Sequence, residues 1–522
     1  GNIEVAPPVT QNINNLHVSE ITNHGPSISL PNSFDLGGNS GFTFPANLGR
    51  TLYWVGNSGS WFNDTCWSLS SGGLGGNCIP TAFDTVIFNQ NSFSAPNQEV
   101  QHQGKTMMAH TQIWGNVQPN SRFAPNGKIW NFGDLLMDNT TSTNFQNSFY
   151  FKTLSALDTN LINIRNRRLE NIYLFNQGVL LFKDSIQFNT LYQYKGTAVL
   201  DSTFLFGGHF RMLGNDSASL FLSHMTFDGW RFLNDKSNLF LSDNSSIISV
   251  REIFRSSTPF LNFNKVILTG QPSWSNSDFY TNRNTINKAE FLYNARILGK
   301  TEFNSIYLDD NNLYEFQHAD TQRIHHLDAR WNPCFPITIR STQQGTQAHW
   351  LLPTDSIATD FMEIRDLNNA GPEPFYAGDA GVDQGNNTGI FFYRAPGFIY
   401  GFHDDSVMLA CDPINFQYEL RTNTFQKADS FLWHNGSKDT SFYVTQTDTM
   451  QVAAYYGTCI VRDTVAIYVD SLKTMGVISD TVLCWHDSLQ VSLHKDTLNY
   501  SFDWNTGSQQ QNTTYYPDST GY

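Results

Sequence analysis

Charge is scarce in this sequence. Asp, Glu, Lys and Arg make up 15% of its 522 residues, against about a quarter in an ordinary soluble domain. The basic share is smaller still: 31 Lys and Arg against 46 Asp and Glu give a net charge of −15, which excludes an extended phosphate-binding surface and hence nucleic acid as a partner. Cysteine is sparse as well. Six cysteines (Cys66, Cys78, Cys334, Cys411, Cys459, Cys484) in so long a chain mean that the fold does not depend on disulfides, although they still report on the redox compartment. There is no run of 18 apolar residues, so no transmembrane segment is expected. Gly1 to Pro8 lacks a basic segment followed by an apolar one, and any export signal is expected to be gone already. No nucleophile elbow, phosphate loop, His-Glu-x-x-His or dinucleotide fingerprint is found. The 14 histidines have no metal-ligand spacing.

What the chain has in quantity is aromatics, 14%, within a hydrophobic content of 40%. That is enough apolar surface to offset chain entropy, so disorder is excluded. The length suggests two to four domains, and the low charge with abundant Asn, Ser, Thr and Gly suggests an extended, extracellular all-β protein. Residues 1–50 read as an N-terminal leader or extended first layer. Residues 51–99 form an aromatic and glycine-rich capping block, with Trp54, Trp61 and Trp67 expected to shield an open sheet end. From 100 to 400 there are short strands broken by Asn, Asp, Ser and Gly, with no helical period. Strand-then-turn units recur at Asp184, Asp201, Ser223, Asp243 and Asn264, and Ser219–Ser223 matches Asn238–Ser242. A period near 20 built of strands alone predicts a right-handed parallel β-helix of roughly 13 to 15 coils. A sandwich has no such repeat, and a propeller blade needs twice the period.

After residue 400 the texture changes to alternating strands. Residues 404–471, with Cys411, Trp433 and Cys459, resemble an immunoglobulin-like β-sandwich module, in which a Trp packs on an inter-sheet disulfide. The resemblance implies that Cys411 pairs with Cys459. Residues 474–522 repeat the pattern: Cys484 then Trp504-Asn505-Thr506-Gly507-Ser508, parallel to Cys411 then Trp433-His434-Asn435-Gly436-Ser437. By the spacing of the first copy the partner of Cys484 lies near 530, so this second module is expected to be incomplete at Tyr522.

Three blocks together resemble very large Bacteroidota cell-surface proteins exported by the type IX secretion system. The first is Tyr53-Trp54-Val55-Gly56-Asn57-Ser58-Gly59-Ser60-Trp61, with Cys66-Trp67-Ser68 and Asp84-Thr85-Val86-Ile87-Phe88. The second is Arg340-Ser341-Thr342, Tyr376-Ala377-Gly378 and Gly385 through Phe392. The third is the Trp-Asn-Thr-Gly and Asp-Ser-Thr-Gly-Tyr repeats. The resemblance implies an extracellular, cell-surface location, gliding or adhesive roles, a type IX translocon and outer-membrane shuttle proteins as partners, and a C-terminal sorting domain beyond Tyr522. Cys66 and Cys78 depart from the family's block; their spacing in a glycine-rich loop suits a local disulfide. Asp followed by Ser or Thr and an apolar residue or Thr resembles the O-glycosylation acceptor of the phylum. It occurs at Thr85, Ser185, Ser202, Ser217, Ser356, Ser406, Thr449, Thr464, Ser471, Thr481, Ser488, Thr497 and Ser519. The same pattern is also how a turn enters a strand.

No catalytic residue is assigned. The strongest enzyme-like cluster is Asp309, Asp310, Arg323, His325, His326, Asp328 and Arg330, within one coil, which keeps open a polysaccharide lyase or hydrolase on the same fold. Adjacent His325 and His326 are expected on opposite faces of a strand. No cofactor is expected beyond a possible structural calcium at Asp379, Asp383, Asn386 and Asn387, which serve equally well as turn residues. Trp114, Trp230 and Trp350 are the candidate surface platforms for sugars, and Cys334 is expected to be a buried free thiol. The reading is a secreted, non-enzymatic, adhesin-like display shaft facing extracellular glycans or surfaces. The other alternative is a cargo captured in complex with the outer-membrane export machinery.

Overall fold

The structure is a computed structural model. It describes residues 1–4, 13, 16–31, 33–35, 38–45, 49–201, 204–213, 218–235, 238–241, 245–270, 277–330, 332–396, 406–410, 417–422, 428–470, 487–492, 503–504, 507–510 and 512–516. The chain divides into two compact units, Gly1–Phe398 and Ile399–Tyr522.

The first unit is an all-β parallel solenoid of about 16 turns, with almost no helix. One 28-stranded sheet runs from Thr51 to Asp383. Its strands pair in parallel with the next turn; among the described residues the only antiparallel pair in this sheet is Thr51–Trp54 with Trp67–Ser68. The turns vary in length: Asn171 pairs with Thr190, 19 residues on, and Ile253 with Asp278, 25 on. The expected period near 20 is therefore a mean, with loops absorbing the difference.

The long strands largely alternate buried and more exposed residues, as in Arg168–Phe182 and Thr226–Asn234. Parallel in-register stacking places each inward residue on its counterpart one turn away. Phe210, Phe232, Phe254 and Phe279 form a column with ring centroids 5.1, 5.7 and 5.2 Å apart. At the N-terminal end of the sheet Trp54, Trp61 and Trp67 are buried to 1% exposure or less. Trp54 and Trp61 meet Trp67 edge-on at 5.0 and 4.8 Å, the favoured arrangement for ring quadrupoles. Within residues 1–45 the described residues form parallel pairs of their own, Asn2–Ile3 with Thr22–Asn23 and Ile28–Ser29 with Phe42–Thr43, and Val18, Ile28 and Leu30 cluster together.

In the second unit Ser430–Trp433, Asp448–Tyr456 and Cys459–Asp470 form an antiparallel array, with Ser406–Ala410 added in parallel. Trp433, Met450, Val452, Tyr456, Cys459 and Ile467 share its core. The sequence repeat has a geometric counterpart. Trp433 N–H donates to Ser437 O at 2.9 Å and Trp504 N–H to Ser508 O at 3.0 Å, and the two indole N–H groups donate to Asp439 O and Gln510 O.

The cysteines require two corrections. Cys66 and Cys78 are free thiols: Cys66 points inward against Gly56 and Gly59, whereas Cys78 is exposed. Cys334 is not a buried thiol but stands in an exposed turn, where Asn332 Oδ1 accepts its N–H. Cys334 and Cys459 are each disulfide-bonded, and Cys411, the expected partner of Cys459, lies outside the described residues.

Candidate functional site

Several outward rows of the solenoid pair opposite charges. A charged residue meets its counter-charge one turn away: Arg231 with Glu252, Arg296 with Asp278 at 2.7 Å, and Arg340 with Glu315 at 2.8 Å. Such half-exposed pairs each contribute at most about 1 kcal/mol, but they leave little net field on the face.

One departure from that pairing surrounds a cavity of about 390 Å³ whose lining includes Phe260, Arg283, Thr285, Lys300, Glu302 and Arg323. Sheet register builds it: Thr285 pairs with Glu302, and Glu302 with Arg323. Glu302 lies 3.2 Å from the Arg323 guanidinium and 2.8 Å from His325 Nε2. Arg283 and Lys300, both exposed, have no carboxylate partner among the described residues. Two bulky residues here adopt left-handed backbone conformations, Phe260 at φ 61° and Arg283 at φ 56°, each at a cost of roughly 1–2 kcal/mol. They are linked, since Phe260 N–H donates to Arg283 O at 3.2 Å. Fully buried Asn284 holds the bend, with its Oδ1 accepting Leu261 N–H at 3.0 Å and its Nδ2 donating to Ser256. Phe260 is left 74% exposed.

The expected enzyme-like cluster is split. Arg323 and His325 turn to Glu302, while Arg330 lies 4.0 Å from Asp309 and 3.6 Å from Asp310. Asp309 accepts the Tyr307 hydroxyl at 2.9 Å, and Asp310 accepts Asn332 Nδ2 at 2.8 Å. Burial and then the Asp309 hydrogen bond push the Tyr307 phenol well up. Asp309 and Asp310 line a second cavity, of about 510 Å³, with Tyr293 and Asn312. His325 and His326 sit in the corner between Thr321–Ile324 and Leu327–Ala329, so strand alternation does not govern them.

The calcium candidates act as turn residues. Asp383 accepts Gly385 N–H at 2.9 Å and Asn387 Nδ2 at 2.6 Å, Asn386 Nδ2 donates to Asp366, and Asp379 pairs with Arg394 at 3.1 Å. No group of three or more His, Cys, Asp or Glu fit to hold a metal occurs among the described residues. Of the tryptophan platforms, Trp114 and Trp350 are core residues at 1% and 0% exposure. Trp230 is half-exposed, with the Arg251 guanidinium 5.7 Å from its ring centre.

Among the glycosylation candidates Ser356, Thr449, Thr464 and Ser488 are exposed, and Thr85 and Ser185 half-buried. At Ser185, Thr449 and Thr464 the preceding Asp accepts the N–H at 2.7 Å, as a turn entering a strand requires. Ser406 begins the strand Ser406–Ala410. Ser202, Ser217, Ser471, Thr481, Thr497 and Ser519 lie outside the described residues. Sequence reasoning passed over Phe260, Arg283 and Lys300. The available signal was basic residues recurring at about the coil period. No protein-family model, curated protein or solved structure matches the chain.

Proposed function

We propose that this chain is a non-enzymatic, secreted cell-surface protein of the adhesin type. Its solenoid, a right-handed β-helix, is a stiff shaft displaying a ligand surface to extracellular glycans, and immunoglobulin-like modules after it act as spacers. The observation that carries this reading is the parallel stack of about 16 turns. Every turn is hydrogen-bonded to both neighbours, so the shaft resists bending and presents its side faces as long, regular rows. The motif resemblance supports a Bacteroidota cell-surface protein carried by the type IX translocon and its outer-membrane shuttle partners, with a role in gliding or surface attachment.

The test is a polysaccharide panel with the purified chain. Binding without product release is the expected result; release of oligosaccharides makes the protein a polysaccharide-degrading enzyme instead, and co-purification with an outer-membrane translocon in place of glycan binding favours a captured cargo. O-glycosylation at the exposed Asp-Ser and Asp-Thr sites predicts that peptides carrying Ser356, Thr449, Thr464 and Ser488, isolated from a native host, exceed their sequence mass.

A further inference from the structure

We propose that the groove of Phe260, Arg283, Lys300 and Arg323 binds an anionic sugar unit of a polysaccharide, a uronate or a sulfated residue. The inference rests on the glycan-display reading and names the class of glycan and its place. A cavity of about 390 Å³ falls within the size range of sites for small ligands. Phe260, 74% exposed, offers an apolar ring to the C–H face of a pyranose. Arg283 and Lys300 offer charge with no carboxylate partner among the described residues, and a guanidinium engages a carboxylate or sulfate in bidentate fashion. Thr285 and Thr321 add hydroxyl groups for the sugar's own hydroxyls.

The backbone supplies an independent reason. Phe260 and Arg283 both hold left-handed φ angles, 61° and 56°, where Asn or Gly fits with less strain. Strain of this kind persists where the surroundings over-determine it and gathers at ligand sites. Here buried Asn284 fixes the bend, and its effect is to set an aromatic ring and a cation side by side on successive turns. In a chain of net charge −15, a groove with Arg283, Lys300 and Arg323 against Glu302 is a local reversal of sign.

The whole chain is titrated calorimetrically with polygalacturonate, dextran sulfate and uncharged dextran, at low and high salt. At least one polyanion is expected to bind about tenfold or more tightly than dextran, weakening as salt rises; which one separates carboxylate from sulfate. Arg283→Asn with Lys300→Gln is expected to weaken that binding about tenfold, and Phe260→Asn at least about threefold. Both Asn substitutions suit the left-handed backbone, and an unchanged melting curve confirms folding. Lys128→Gln, outside the groove, is expected to leave binding unchanged. Equal binding of dextran and both polyanions overturns the proposal, as does full affinity in the double variant. Glycan binding that survives the groove variants removes the groove but leaves the display reading intact. Product release removes the display reading while the groove stands.

Discussion

Asp84 is the joint on which the N-terminal end of the solenoid hangs, and Asp84→Asn is the perturbation that tests it. Its side chain is 2% exposed and accepts five hydrogen bonds. Three come from Arg50, through the backbone N–H at 2.7 Å, Nε at 3.0 Å and Nη2 at 2.7 Å. Two come from Thr81, through N–H at 2.7 Å and Oγ1 at 2.9 Å. Burial opposes the charge, but the Arg50 hydrogen bond, supported by Thr81, holds the carboxyl below its usual range. The amide of Asn has nearly the same shape, yet presents a donor where donors already point. Breaking a buried pair costs about 3–5 kcal/mol. Arg50 is 37% exposed and its freed guanidinium rehydrates, which lowers the figure to about 2–4 kcal/mol.

The loss is local, because a solenoid opens turn by turn. At tenfold per 1.4 kcal/mol, hydrogen exchange at Thr85 and Val86, whose amides bond to Arg50 O and Thr111 O, accelerates by roughly 30- to 700-fold at pH 7. Mass spectrometry of peptides covering 49–55 and 84–88 reads it. Since the folded value is depressed, the wild-type advantage is present above the unfolded carboxyl pKa of about 3.9 and lost as pH falls through the folded value. The two proteins should therefore differ from neutral pH down to about pH 4 and converge below it. Exchange in Asp84→Asn within twofold of wild type at pH 7 refutes the assignment.

Four further outcomes are expected. Tyr314→Phe removes a fully buried hydroxyl that lies 2.8 Å from Phe291 O and accepts Asp309 N–H at 2.9 Å, so urea unfolding should show a loss of about 1–3 kcal/mol. Burial also raises the Tyr314 pKa well above its ordinary value; its stabilising effect is complete below about pH 10 and lost as pH rises, so phenolate absorbance should lag for this residue until the chain unfolds. Phe254→Ala opens the ring column between Phe232 and Phe279 at a cost of about 3–5 kcal/mol, and a melting curve matching wild type counts against the column. Iodoacetamide should alkylate Cys78 in the native protein and reach Cys66, whose thiol pKa burial raises, only on unfolding; protection of both would restore the Cys66–Cys78 bridge.

The solenoid was legible because its cause is local and periodic. Stacked turns need strands at one spacing with inward apolar residues, and Ser219–Ser223 against Asn238–Ser242 carries that pattern in the sequence itself. Inside and outside were harder to assign. In Gln112-Ile113-Trp114 the buried positions are Gln112 and Trp114, while Ile113 is half-exposed. Hydrophobicity alone points the strand the wrong way, because side faces of a solenoid also carry apolar residues and interior corners carry amides. The Cys66–Cys78 pairing failed for a related reason. Separation along the chain says nothing about direction, and Cys66 faces inward while Cys78 faces solvent.

The groove was illegible for a deeper reason. Arg283, Lys300 and Arg323 read as scattered cations, and only the register that sets Thr285 beside Glu302 and Glu302 beside Arg323 gathers them on one face. Elsewhere register does the opposite, bringing Arg231 to Glu252 and Arg340 to Glu315. A row of like charges repels itself, and here Arg283 and Lys300, with no carboxylate partner among the described residues, face one groove together with Arg323. Phe260 and Arg283 hold left-handed backbone angles beside them. Packing accounts for the neutral rows; an anionic ligand with an apolar face accounts for this one.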